Sequence, residues 1–325
     1  MIVIFTFALL VLLAIGVPVA FSLGASGLLG MVLFMPGDGA LEQIPILAYK
    51  ALDDFVLCAV PLYILMSAIL LKGKVGEDLF DLGNKWLRHL PGGLGIATIV
   101  ACGIFAAITG SSVACAVTVG AIAIPEMLKR GYDRSVVLGA VAGGGTLGIL
   151  IPPSIPMIMY GVTIGVSVSY MFIAGIIPGI LMGVALMIYN YFTSKKRGYK
   201  GRETQAKTAA EKAKVLKDAI PAILMPIIIL GGIYSGVFTP TESAVIGVVY
   251  SIIVAVFVYH QLTWKRFCQA MFDATITSAT IMVLFGAANT FGRILTMNSV
   301  PTMVTQWMLS VTSSKALIML MINIA

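Results

Sequence analysis

Gly143-Gly-Gly-Thr-Leu-Gly-Ile-Leu-Ile-Pro-Pro-Ser-Ile-Pro156 interrupts an apolar run that is otherwise long enough to cross a membrane. Three consecutive glycines and three prolines weaken a helix at a depth where lipid gives backbone groups no water partner. Unwound backbone is tolerated there only when it is buried in protein or lines a polar cavity. In carriers, such breaks near the bilayer midplane hold substrate and coupling ion. The stretch therefore points to a solute carrier with a broken helix over 135–168.

Composition agrees. The chain has 325 residues, 59% hydrophobic and only 11% charged, with a mean hydropathy of +1.02. A soluble domain carries roughly a quarter charged residues. Long apolar stretches recur, which makes this an all-α polytopic membrane protein in a lipid bilayer. The net charge of +7 does not imply nucleic acid, because nine of the 21 basic residues fall between Lys195 and Lys217. That run reads as a cytoplasmic loop obeying the positive-inside rule. Cys58, Cys102, Cys115 and Cys268 lack metal-ligand spacing and read as small hydrophobes. His89 and His260 lie at expected span boundaries without partners at ligand spacing. Met1 to Ile15 lacks the basic start of a secretory signal and is expected to be a retained span.

Working outward, the other candidate spans are 2–16, 18–36, 51–71, 170–193, 219–236, 241–260 and 274–296. Residues 92–127 are long enough for two crossings, yet Gly110-Ser111-Ser112 sits at their middle. Small and polar residues there suit the tip of a re-entrant hairpin. Residues 77–90 carry a mixed face and read as an interfacial helix. With 195–217 inside, the inner loops 72–91, 128–134, 195–217 and 261–273 hold 18 of the 21 basic residues. The N-terminus then lies outside.

A second regularity supports the carrier reading. Pro18 and Pro240 are 222 residues apart, and Trp86 and Trp307 are 221 apart. The order of elements repeats with that offset, 51–71 matching 274–296 and 77–90 matching 298–311. The first unit starts outside and the second inside, so the repeats are inverted, the mark of alternating access. The first repeat covers 1–194, the basic loop 195–217, and an incomplete second repeat 218–325. Counterparts of the hairpin tip and of the break would fall at about 332 and roughly 364–377. The expectation is a C-terminally truncated protein of originally about 420 residues.

The chain resembles the large membrane (DctM-like) subunit of TRAP transporters, the tripartite ATP-independent periplasmic carriers. The resemblance rests on Ile15-Gly-Val-Pro-Val-Ala-Phe21, Ile108-Thr-Gly-Ser-Ser-Val-Ala114, the stretch Gly143–Pro156 and Gly236-Val-Phe-Thr-Pro-Thr-Glu-Ser-Ala244. It implies a sodium-driven importer of organic acids working by an elevator motion in the bacterial inner membrane, with a periplasmic N-terminus. It also implies two partners, a small four-helix membrane subunit and a periplasmic substrate-binding protein.

Candidate site residues follow. A bare sodium ion (Na+) needs several oxygen ligands, which freed carbonyls and neutral hydroxyls supply without fixing a charge in lipid. Gly110, Ser111 and Ser112 are candidates on the hairpin, facing Gly144, Gly145, Thr146 and Pro152 on the broken helix. The alternative is that the glycines serve close helix packing and the serines bond their own helices. Ser154 follows two prolines and is a substrate-contact candidate, with a packing role as the alternative. Arg293 lies near a span end, where its planar fork suits a carboxylate or its stem snorkels to the interface. Thr239-Pro-Thr-Glu242 reads as a capping box opening a helix, with coupling-ion contact through Glu242 as the second reading.

Rival classes are weaker. No His-Glu-x-x-His, Gly-x-Ser-x-Gly or P-loop pattern occurs, which argues against an intramembrane enzyme and against ATP-driven transport. A channel would require a repeated pore element. The nearest alternative is a sodium/anion symporter that works without a binding protein.

Overall fold

The computed structural model describes residues 2–34, 39–72, 75–87, 89–199 and 209–324. The centre of the basic loop 195–217, residues 200–208, lies outside the described residues. Among the described residues the chain is all helical, with no strand. The helices run α1 Ile2–Ala14, α2 Val19–Phe34, α3 Gly39–Leu52, α4 Ala59–Leu71 and α5 Val75–Leu87. Next come α6 Gly93–Thr109, α7 Ser112–Lys129, α8 Arg134–Leu150, α9 Ile155–Ile164 and α10 Val168–Lys196. The remainder are α11 Ala209–Tyr234, α12 Pro240–Ile253, α13 Trp264–Met297, α14 Val300–Val311 and α15 Lys315–Ile324. Among the described residues six helical segments, one of them α8 together with α9, are long and apolar enough to cross a membrane, or up to seven if a bent pair counts as one span. The protein is thus a multi-pass helical membrane protein.

The described chain forms two compact units. One comprises the residues up to Asp54 together with those from Ala279 onward. Its core is Phe5, Met31 and Ile294, with Phe5 set edge-on against Phe291 at 5.4 Å between ring centres. Gly27 and Gly30 of α2 let that helix lie against Thr290 and Ile294 of α13, where small residues substitute for an aqueous hydrophobic drive.

The other unit, Phe55–Ser278, holds the segment of interest. Polar side chains stitch its helices together through backbone carbonyls. The Tyr63 hydroxyl donates to Pro240 O at 3.2 Å, and Ser243 Oγ donates to Ile229 O at 3.1 Å, joining α4, α12 and α11. Tyr250 donates to Pro221 O at 2.9 Å. Pro221 and Pro226 stand inside α11 without breaking it. Thr239 and Glu242 form the reciprocal capping box at the start of α12. Lys72 at the end of α4 pairs with Asp273 of α13 at 2.9 Å.

Three local features depart from the sequence reading. Residues 39–52, between the expected spans 18–36 and 51–71, form a helix of their own, α3, with Pro45 inside it. Residues 264–273 are helical too, so the expected inner loop 261–273 shrinks to the turn before Trp264. Val254–Val258 take a π-helical turn at the end of α12, a register change that hydrophobic pattern does not encode.

Candidate functional site: the hairpin turn and the helix break

α6 and α7 run antiparallel. Cys115 lies against Cys102 O at 3.3 Å, and Thr98 near the start of α6 meets Met127 near the end of α7 at 3.6 Å. The turn between them is Gly110-Ser111. Gly110 is left-handed (φ 61°) and closes α6 by donating to Ala106 O at 2.9 Å, a conformation that favours glycine. Ser111 is extended and caps α7, its hydroxyl accepting from Ala114 N at 3.4 Å.

This turn packs onto α8 and the break that follows it. A side chain on Gly148 would come within 2.8 Å of the Ser111 and Ser112 backbone, and one on Gly145 within 2.8 Å of Ala116. Gly144 lies against Cys102. Beyond Leu150 the chain is extended at Ile151, passes the cis peptide Pro152-Pro153, and enters α9 after Ser154. The α9 backbone then returns to the turn, Ile155 N donating to Gly110 O at 3.4 Å. The C-terminal ends of α6 and α8 and the N-terminal ends of α7 and α9 thus meet in one place. Two negative dipole ends and two positive ones border the same small region, an arrangement suited to a cation beside an anion.

The break is narrower than the composition of 143–156 implies. Gly143, Gly144, Gly145 and Thr146 stay within α8, because their donors four residues on, Leu147 to Leu150, all carry N–H groups. Thr146 is exposed and donates to Gly143 O at 2.6 Å. Proline removes the donor that would serve the carbonyl four residues earlier. Pro152, Pro153 and Pro156 therefore leave Gly148 O, Ile149 O and Pro152 O without intrahelical donors. Pro152 was legible as a site candidate. Gly148 and Ile149 were missed, although counting back four from each proline finds them.

Among the proposed site residues, the structure brings Gly110, Ser111 and Ser112 against α8 near Gly145 and against the Pro152–Ser154 break. Ser154 is fully buried, and its hydroxyl has no hydrogen-bond partner among the described residues. A buried hydroxyl without a partner costs about 1–3 kcal/mol, which marks it as a place where a ligand would repay the loss. Ser67 of α4 was not singled out from sequence. Its hydroxyl reaches Thr109 O at 3.0 Å and Tyr63 O at 2.9 Å, tying α4 to the hairpin turn. Arg293 belongs to the other compact unit, on α13, where it is exposed and makes no ion pair among the described residues.

A multi-pass helical protein with a helical hairpin seated on a proline-broken span is carrier-like architecture. Residues 6–325 match the family model described as "Tripartite ATP-independent periplasmic transporter, DctM component". The chain is 39% identical over 314 residues to the isethionate TRAP transporter permease protein DctMQ of Oleidesulfovibrio alaskensis, covering 96% of this chain and 49% of that protein. It is 38% identical over 303 residues to the C4-dicarboxylate TRAP transporter large permease protein DctM of Pseudomonas aeruginosa, covering 93% and 70%. It is 36% identical over 316 residues to the sialic acid TRAP transporter permease protein SiaT of Haemophilus influenzae, covering 97% and 50%. The chain belongs to the DctM family of TRAP transporter permeases, a family of transport proteins and not of enzymes. It spans about half the length of two of these curated relatives.

Proposed function

We propose that this chain is the permease subunit of a sodium-driven secondary transporter that imports organic acids delivered by a periplasmic binding protein. The observation that carries the reading is the meeting of four helix ends at Gly110–Ser112 and Pro152–Ser154 in a chain of this family. Sodium is assigned to the cation side of that meeting, held by Gly110, Ser111, Ser112 and the donor-free carbonyls of Gly148, Ile149 and Pro152. Gly144 and Gly145 act there by letting the hairpin approach, and Thr146 stands at the margin. The acid group is assigned to the α9 N-terminus and Ser154; for Arg293, on the other compact unit, carboxylate recognition is a separate proposal.

The relatives named for isethionate, C4-dicarboxylates and sialic acid are all named for acids, which supports an organic acid here too. The wider reading includes two inverted repeats, an elevator motion, an inner-membrane location and a periplasmic N-terminus. The partners are a small four-helix membrane subunit and the binding protein; the family description "tripartite" supports that count.

The test is uptake into proteoliposomes that hold the complete carrier, driven by an imposed sodium gradient, with and without the cognate binding protein. Uptake that needs both the gradient and the binding protein is expected. Uptake that ignores sodium would refute the coupling, and uptake without the binding protein would favour a self-sufficient anion symporter. Ser112→Ala is expected to raise the sodium concentration for half-maximal uptake, and an unchanged value would remove Ser112 from the ion site.

A further inference from the structure

A cavity lies in the Phe55–Ser278 unit, lined by α6, α8 and α10 toward the N-terminal end of α8 and away from the Pro152–Ser154 break. Its volume is about 230 Å³, far more than the roughly 10–15 Å³ that one water requires. Ile99, Ala140 and Leu186 give it an apolar floor, while Asn190, Thr193 and Arg197 line it with polar groups. Asn190 is 4% exposed. Its carbonyl oxygen accepts from Ser194 Oγ at 3.4 Å, and an amide nitrogen carries two donors of its own. A nearly buried carboxamide therefore lines the cavity.

The depth of this cavity is set by the sequence of α10. That helix has 29 residues, about 44 Å at 1.5 Å each, and overshoots a hydrocarbon core of about 30 Å. Tyr189 and Phe192 are 70% and 62% exposed, and Lys195, Lys196 and Arg197 follow within five residues. An aromatic belt followed by basic residues marks the membrane–water interface. The cavity thus opens at headgroup level, with acyl-chain depth toward Leu186. Charge there is net positive. Asp133 pairs with Arg197 at 3.1 Å, which leaves Arg134, Lys195 and Lys196 uncompensated by it. Asp133 and the Tyr199 hydroxyl engage part of the Arg197 fork, and a guanidinium carries five donors.

We infer that this cavity is a binding site for the phosphate headgroup of an anionic phospholipid, held by Arg197, Thr193 and the Asn190 amide. Basic pockets between spans at the cytoplasmic interface recognise such headgroups, and the apolar floor accepts the glycerol backbone and upper chain. Neither sodium coupling nor acid recognition depends on this site, so its test is separate from theirs.

The experiment titrates the complete purified chain in mild detergent with phosphatidylglycerol or phosphatidylcholine and counts retained lipid by native mass spectrometry. One phosphatidylglycerol per chain is expected, bound at least tenfold tighter than phosphatidylcholine. Arg197→Gln is expected to weaken it about fivefold, the contribution of one basic residue near the membrane surface. Arg197→Gln also loses the Asp133 pair, so a second variant is needed. Gly139 lines the cavity, and a side chain added there meets nothing within 4 Å. Gly139→Leu therefore fills the space without displacing a neighbour and is expected to reduce retention more than tenfold while the size-exclusion profile is unchanged. Equal retention of the two lipids, or full retention by Gly139→Leu, would overturn the assignment. Displacement of phosphatidylglycerol by millimolar inorganic phosphate would overturn the lipid as its source.

Discussion

The two ends of α8 solve the same problem in opposite ways. At the N-terminal end Asp133 accepts from Ser135 N at 2.8 Å, Arg197 sits 3.1 Å from its carboxylate, and Tyr199 accepts from its backbone N–H at 2.8 Å. Those partners are polar, exposed and replaceable by water. At the C-terminal end Gly145 and Gly148 admit the hairpin to contact distance, prolines remove the next donors, and the Ser154 hydroxyl stays buried without a partner. One end is satisfied and the other is left short of partners. A helix end left unsatisfied at membrane depth is a cost that a bound ion or substrate removes, and this is why the site is read at that end.

The sharpest way to break the comparison is to add bulk where the hairpin touches. Gly148→Leu places a side chain within 2.8 Å of main-chain atoms of Ser111 and Ser112, which have no flexible end to move aside. Overpacking of this kind costs roughly 1–3 kcal/mol, and a backbone neighbour puts it at the upper end. The same helix carries Gly139, where nothing lies within 4 Å of the added atom. Gly139→Ala should stabilise by about 0.5–1 kcal/mol through helix propensity alone. Thermal unfolding of the two variants in detergent should move in opposite directions. Two small shifts of the same sign would mean that the hairpin does not bear on α8.

The next two effects separate satisfied from unsatisfied hydroxyls. Ser67→Ala leaves Thr109 O without the donor at 3.0 Å and should cost about 1–2 kcal/mol in the same assay. Ser154→Ala removes a hydroxyl that has no partner, so it should be neutral or stabilising by about 1 kcal/mol while lowering acid uptake in the complete carrier. A loss of stability comparable to that of Ser67→Ala would show that Ser154 is already satisfied and would withdraw it from the site.

Much of this was legible in particular residues. Thr239 and Glu242 are spaced as a capping box and form one. Gly110-Ser111 falls between helices because a residue able to take φ 61° stands next to a residue able to cap. Gly143–Thr146 was misread because glycine only weakens a helix whereas proline deletes a donor, and the neighbours of these glycines keep their N–H groups. Gly144 packs against Cys102 and Gly145 against Ala116, and no local pattern reports on a partner helix. Ser67 was invisible for the same reason. A serine in an apolar span usually bonds its own helix, and only the tertiary approach of Thr109 gives it a second acceptor.

The smallest effect tests the polar end of α8. The Ser135 hydroxyl and backbone N–H, and then Arg197, hold the Asp133 carboxyl below its usual range. A depressed folded-state value means that the stabilisation is present above the ordinary carboxylate pKa of about 3.9 and is lost as pH falls through the lower folded value. The thermal midpoint of the wild-type chain should therefore fall more steeply, as pH drops below about 4, than that of Asp133→Asn, which keeps an acceptor for Ser135 but has no proton to gain. Above about pH 5 the two proteins should differ by a constant amount. Because Asp133 is exposed and its ion pair is screened, the difference should shrink when salt is raised. A pH response that is identical in both proteins would mean that other carboxylates govern acid unfolding and that this cap is held by geometry alone. A response that survives high salt would place the controlling interaction in the Ser135 hydrogen bonds and leave Arg197 free to face the cavity beside α10.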